Sequence, residues 1–168
     1  MCSSDLRQVL RDELAAIGTV DRPDLRLPLQ MVLTDDDEPE SALRQLDALR
    51  AEAERIGHLG AALAVRIRAA GVAAAVDPGR ARREALAALA LADERQTTAL
   101  LPAELWLNCG RALAAAGDAA HAAEVLKRGH DWLHKTAAEQ IPEPFRDSFL
   151  HRNPVNRELL ALASRRTP

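Results

Sequence analysis

The chain alternates between stretches where apolar residues recur every three or four positions and short breaks carrying Gly, Pro or Asp. That period marks amphipathic helices, because one helix face is revisited at i+3 and i+4. Val9, Leu10, Leu14 and Ile17 define a first helix over 5–17, with Gly18 as its stop. A turn over 19–24, containing Pro23, follows. Leu25, Leu27, Leu29, Met31 and Leu33 then alternate as a strand would. A lone strand has no partner in this chain, so a short helix is expected instead, with Pro28 in its first turn.

Beyond an acidic turn over 34–39, the stripe Ala42, Leu46, Leu49, Ala53 and Ile56 predicts a helix over 41–56. Arg44, Asp47, Arg50, Glu54 and Arg55 form its wet side. Gly57 ends it, a further helix spans about 58–76, and Asp77-Pro78-Gly79 turns the chain. Helices are then expected over 80–94 (Ala81, Ala85, Leu89 and Ala92 inward), 103–116 (Trp106, Cys109, Gly110 and Leu113 on one face) and 119–138 (Ala122, Val125, Leu126, Gly129 and Leu133 inward). A loop over 96–102 and the turn Gly117-Asp118 separate them. Ile141-Pro142-Glu143-Pro144 breaks the pattern, and a short apolar helix over 145–151 follows. Asn153-Pro154 opens a last helix, with Asn as N-cap and Pro at the first helical position.

Composition sharpens the helical reading. There are 34 Ala and 26 Leu, but only two Phe, two Trp and no Tyr. Strong helix formers abound and the residues that sheets prefer are scarce. The net charge is −3 with both signs interspersed, so no basic field offers itself to nucleic acid. The longest apolar run, 85–92, is far too short to span a bilayer. Cys2 and Cys109 make no disulfide framework and no secretory signal precedes them, which points to the cytoplasm. Met1-Cys2-Ser3-Ser4-Asp5-Leu6 resembles the translation of a sequencing adapter, so residues 1–6 are expected to be a non-native leader on a longer natural chain. On that reading the first helix keeps an apolar side for a preceding helix, and the isolated chain self-associates through it.

One stretch is more specific. Over 103–136, Trp106, Gly110 and Leu113 precede Gly117-Asp118, and Ala122, Leu126 and Gly129 follow. Small Gly110 and Ala122 let two helices approach, Trp106 and Leu126 fill the space beside them, Gly117 permits the turn, and Asp118 caps the second helix. The stretch resembles a tetratricopeptide repeat, although His134 lies near the place of the motif's closing proline. Asp36-Asp37 before Ala42, Leu46 and Leu49, and Asp77-Pro78-Gly79 before Ala85, Leu89 and Ala92, echo it at wider spacing. The implied fold is all-α: stacked antiparallel helix hairpins, about three pairs over 7–140, closed by capping helices over 141–168. The run from Ile141 to Arg157 also resembles the tails of large bacterial ATPase-containing transcriptional regulators. That resemblance implies the last part of a helical-repeat array. It brings no nucleotide chemistry, since nothing in the chain matches a phosphate-binding loop.

Chemistry is sparse. His130 and His134 stand four apart, a zinc-binding spacing that raises a metal-dependent hydrolase as an alternative, but no motif places a third ligand. Cys109 falls at a packing position with no base near it in any motif. Trp106 and Trp132 lie on apolar stripes and read as core. The expectation is therefore a non-catalytic module without cofactor or metal, binding a protein or peptide on the surface of the first helix of each pair. Arg66, Glu104, Asn108 and Arg111 are the candidate contacts there, and Arg80, Arg82 and Arg83 form a candidate patch for an acidic peptide. A stand-alone peptide-binding adaptor is the other non-catalytic alternative.

Overall fold

The computed structural model describes residues 3–17, 23–95 and 102–164, and the buried or exposed state of most of them. Every regular element among the described residues is helical: α1 (Ser3–Ile17), α2 (Pro23–Leu33), α3 (Pro39–Arg55), α4 (Leu59–Ala73), α5 (Pro78–Arg95), α6 (Pro102–Ala115), α7 (Ala119–Glu139) and α8 (Pro154–Ser164). Gly18, the loop over 96–101 and the helix end expected near Arg165 lie outside the described residues, as do the side chains of the leader expected over 1–6. None of the described helices is long and apolar enough to cross a membrane.

Prolines set more helix starts than the residue pattern suggested. Pro23, Pro39, Pro78, Pro102 and Pro154 each occupy a first helical position, where the missing N–H has no intrahelical partner to lose. Pro23 thus begins α2 and is not a turn residue. Pro28 consequently lies inside α2, past its first turn. Leu27 and Met31 are buried four residues apart, the helical period, which overrides the apparent alternation. Gly57 and Gly117 take φ of +72° and +79°, closing α3 and α6 as only glycine readily does. His58 caps α4, its Nδ1 accepting from the Ala61 N–H at 3.2 Å. Asp77 caps α5 through the Arg80 N–H at 2.9 Å. Asp118 makes no such cap; its carboxylate turns to Arg82 and His121 instead.

Two neighbouring cores hold the molecule. The larger joins α2 to α7, and α4 supplies Ala61, Ala62, Leu63, Val65, Ile67, Ala69, Ala70 and Ala73 to it. A helix apolar nearly all round has to be covered nearly all round, and α4 packs against α2, α3, α5 and α6. The smaller core gathers Leu107, Leu126, Leu133 and Leu159 with Phe149, Leu150 and Val155, and Trp106 touches both cores. Ile56, expected inward, is exposed, because α3 ends at Arg55 and its stripe stops there.

The helix pair α6/α7 is locked by two glycines. A Cβ on Gly110 would lie 2.6 Å from Leu126 Cδ2, and one on Gly129 would lie 2.4 Å from Trp106 Cβ. Leu126 therefore fills the space at Gly110, and Trp106 the space at Gly129. Arg128 covers the outer face of the Trp106 ring at 4.6 Å.

After α7 the chain is less regular than expected. The segment over 145–151 is not one short α-helix but a 3₁₀ turn, Glu143–Phe145, and a π turn, Ser148–Arg152. Side chains add to the 3₁₀ and π backbone bonds there. Arg146 donates to the carbonyls of Ala138 and Ile141, both at 3.1 Å, closing the end of α7. Asn153 Oδ1 accepts from the N–H groups of Val155 and Asn156, the cap expected for α8. Asn156, only 3% exposed, donates Nδ2 to the Phe149 carbonyl at 2.8 Å.

Candidate interaction surface

The even-numbered helices form a continuous line: α2 packs on α4, α4 on α6 and α6 on α8. The odd-numbered helices α3, α5 and α7 stand farther apart and are spanned by long arginine side chains. Arg50 and Arg80 reach from α3 and α5 to acids on the other helix, and Arg128 on α7 reaches Asp93 at 2.8 Å. Small alanines on α4, and Gly71 beneath the Asn108 amide, permit the close even side. A Cβ at Gly71 would come within 3.1 Å of Asn108 Cγ and Oδ1.

The seven candidate contacts are not brought to one place. Arg66 faces the odd side. Its Nη1 donates to Glu84 at 3.0 Å and its Nη2 to Glu54 at 2.9 Å. Glu84, whose side chain is 10% exposed, also takes Arg50 at 2.7 Å. Arg50 and Arg80 share Asp47, at 3.3 and 2.7 Å. The chain Glu54–Arg66–Glu84–Arg50–Asp47–Arg80 thus ties α3, α4 and α5 together, and Arg66 and Arg80 are committed to it. Arg82 pairs with Asp118 at 3.3 Å. His121 first, then Arg82, holds the Asp118 carboxyl below its ordinary range. Arg83 is exposed and makes no hydrogen bond or ion pair.

Glu104, Asn108 and Arg111 do share a side of α6. Arg111 pairs with Glu158 of α8. The Asn108 amide makes no hydrogen bond with any described residue. Glu104 is half-buried and has no hydrogen bond or ion pair. Burial pushes its carboxyl above the ordinary range, which Arg68 opposes and Asp35 reinforces. Arg68 stands where Arg66 was expected, on the even side, but its guanidinium is taken by Asp35 at 3.0 Å. Two residues apart on a helix, Arg66 and Arg68 point in nearly opposite directions, so the right face could have been chosen from the period alone.

Beside Glu104 lies a cleft of about 180 Å³ between the start of α6, α7, and the segment leading into α8. Trp132, Phe149, Val155 and Asn156 line it with Glu104. Trp132 thus borders open space as well as the smaller core. Phe149 and Asn156 carried no signal in the sequence: Phe149 reaches the cleft from a π turn, which has no residue pattern of its own, and Asn156 from the first turn of α8.

The remaining candidates stand apart from this surface. His130 and His134 have ring centroids 4.4 Å apart. No cluster of three or more His, Cys, Asp or Glu that could hold a metal occurs among the described residues. Cys109 is fully buried, its Sγ 3.7 Å from the Ala85 carbonyl, and burial pushes its thiol up to about 12. No protein-family model, curated protein or solved structure matches the chain.

Proposed function

We propose that the chain is a non-catalytic interaction module built as a tetratricopeptide-like α-solenoid, with α2/α3, α4/α5 and α6/α7 as its pairs and α8 as the closing helix. The observation that carries this reading is the asymmetry between the two sides. Close packing along α2, α4, α6 and α8, against wide spacing bridged by arginines along α3, α5 and α7, is what a curved stack of helix pairs requires. The inner side then bears Glu104 and Asn108, polar groups without internal partners. Half-buried polar groups left unpaired cost stability, so they are features of a surface that receives a partner. Arg66, Arg80 and Arg82 act as internal ties on this reading. The partner is a protein or peptide, and the module is a segment of a larger bacterial, cytoplasmic signalling protein such as an ATPase-containing transcriptional regulator.

Peptide display against the purified chain tests the reading. Selected peptides should perturb backbone amide signals along α4, α6 and α8, and binding should fall at least about tenfold in Asn108→Arg, which puts a bulky charge on that face. Peptides that perturb only α3, α5 and α7, or that ignore Asn108→Arg, would overturn it.

A further inference from the structure

The cleft at the start of α6 has an unusual polar set. Glu104 contributes a carboxylate with no partner. Asn156 lines the same cleft, and its Nδ2 is occupied by the Phe149 carbonyl. Its Oδ1 accepts no bond from any described residue, although the residue is only 3% exposed. Both free groups are therefore acceptors, and a ligand completing them has to donate. The walls are aromatic. The chain has only two Trp and two Phe, and one of each borders this small space.

Ordinary helix chemistry accounts for only part of this. An acidic residue suits the first turn of a helix, where Glu104 stands. That preference explains the residue type, but neither its burial without a partner nor the aromatic walls. The nearest compensating cation, Arg68, is held by Asp35, and Asp35 adds a like charge. A cation entering the cleft would meet an uncompensated carboxylate, an amide oxygen and two aromatic rings. Pockets for drug-sized ligands run to roughly 300–1,000 Å³, so about 180 Å³ suits a head group on a short chain.

We propose that this cleft binds a primary ammonium or guanidinium group carried on a short aliphatic chain, supplied either by a lysine or arginine side chain of a bound peptide or by a free small amine. Glu104 neutralises the charge, Asn156 Oδ1 accepts one of its protons, and Trp132 and Phe149 cover the aliphatic stem. The peptide form rests on the interaction reading above; the free-amine form does not.

The test follows the indole N–H signals by NMR, with Trp132 assigned from Trp132→Phe. Probes are n-butylammonium, n-butylguanidinium, n-butanol and n-butyrate, together with an acetylated and amidated Gly-Gly-Lys-Gly-Gly peptide. Saturable shifts of the Trp132 signal are expected with the two cations only. Affinity should fall at least about tenfold in Glu104→Gln, which keeps the shape and removes the charge. A peptide binding more tightly than n-butylammonium assigns the site to a side chain, and the reverse order assigns it to a free amine. The proposal is overturned if butanol or butyrate binds as well as the cations, if Glu104→Gln binds them unchanged, or if none of them moves Trp132. Display-selected peptides that need Asn108 but leave Trp132 unmoved would sink this inference and leave the broader one standing.

Discussion

Glu104 carries a charge in a half-buried place with no hydrogen-bond or ion-pair partner, and stability should register that cost. Its folded pKa is raised, so the folded state holds the proton more tightly than the unfolded chain. Stability then falls as pH rises through the raised value, and the ionised form is a burden at neutral pH. Glu104→Gln is expected to melt above the wild type at pH 7, with the gap closing as pH falls and the wild-type carboxyl takes up its proton. A lower melting temperature for the variant at pH 7 would contradict this. Cys109 sits at the other extreme. With its thiol pushed up to about 12 and its side chain fully buried, thiolate is scarce at neutral pH. In a Cys2→Ser background, native protein should resist a disulfide reagent such as DTNB and react only on unfolding. Gly129 is a third position where one atom matters. Alanine favours helix over glycine by about 1 kcal/mol, but its Cβ would meet Trp106 Cβ at 2.4 Å, an atom with no freedom to swing aside. Overpacking costs typically 1–3 kcal/mol, so Gly129→Ala should lower stability in a denaturant titration.

At the scale of elements, three helices depend on one carboxylate. Glu84 on α5 receives Arg50 from α3 and Arg66 from α4, and those arginines reach on to Asp47 and Glu54. Removing Glu84 takes from Arg50 and Arg66 their more buried partner and leaves them only the more exposed Asp47 and Glu54. A hydrogen bond to a charged group is worth about 1.5–3 kcal/mol. Glu84→Ala should therefore destabilise well beyond Glu54→Ala, whose carboxylate is half exposed and binds Arg66 alone. Equal melting temperatures for the two variants would show that the chain of ion pairs contributes little. The irregular segment before α8 is held differently, by Arg146 on the end of α7 and by Asn156 on the Phe149 carbonyl. The Asn156 bond holds the Phe149 backbone, so a side chain of α8 helps to shape the cleft.

For the whole molecule, acid should be destabilising. Arg26 holds Glu52 below its ordinary range, His121 and Arg82 do the same for Asp118, and Lys127 and His130 for Asp131. A depressed carboxyl contributes stability above its unfolded pKa and loses it as pH falls through the folded value. The decline should begin near about pH 4, the ordinary range of these groups, and deepen below it. A melting temperature that stays flat from pH 5 to about pH 2.5 would count against it. The exposed Asp118 and Asp131 pairs are screened, so the effect is a gradual slope and should shrink with added salt. Self-association through α1, an expectation from the sequence, also belongs to this scale. Val9 is 50% exposed, and Leu14 lines an opening of about 340 Å³ with Leu33 and Leu49. Such apolar surface next to a cleft favours association.

Much of the architecture was legible in the residues because helices write a local code. The 3.6-residue period, Gly57 and Gly117 at the stops, and the tight Gly110 and Gly129 positions all act within a turn or a pair of helices, where spacing suffices. Alanine and leucine content argued for helices over sheets, and every regular element among the described residues is helical. The local code misjudged the face of Arg66, the capping role of Asp118 and the regularity of 145–151. Glu84, distant in the chain, holds Arg66, and Phe149 and Leu150 of the irregular segment pack on the smaller core; for Asp118 the competing partners are His121, three residues on, and the distant Arg82. The unpaired state of Glu104 likewise needed three dimensions. Residue type and period place it on α6, but only packing shows that Arg68 is already committed to Asp35 and that Trp132, Phe149 and Asn156 converge beside it. Burial and charge compensation are sums over neighbours from every helix, and a sequence lists only the neighbours along the chain.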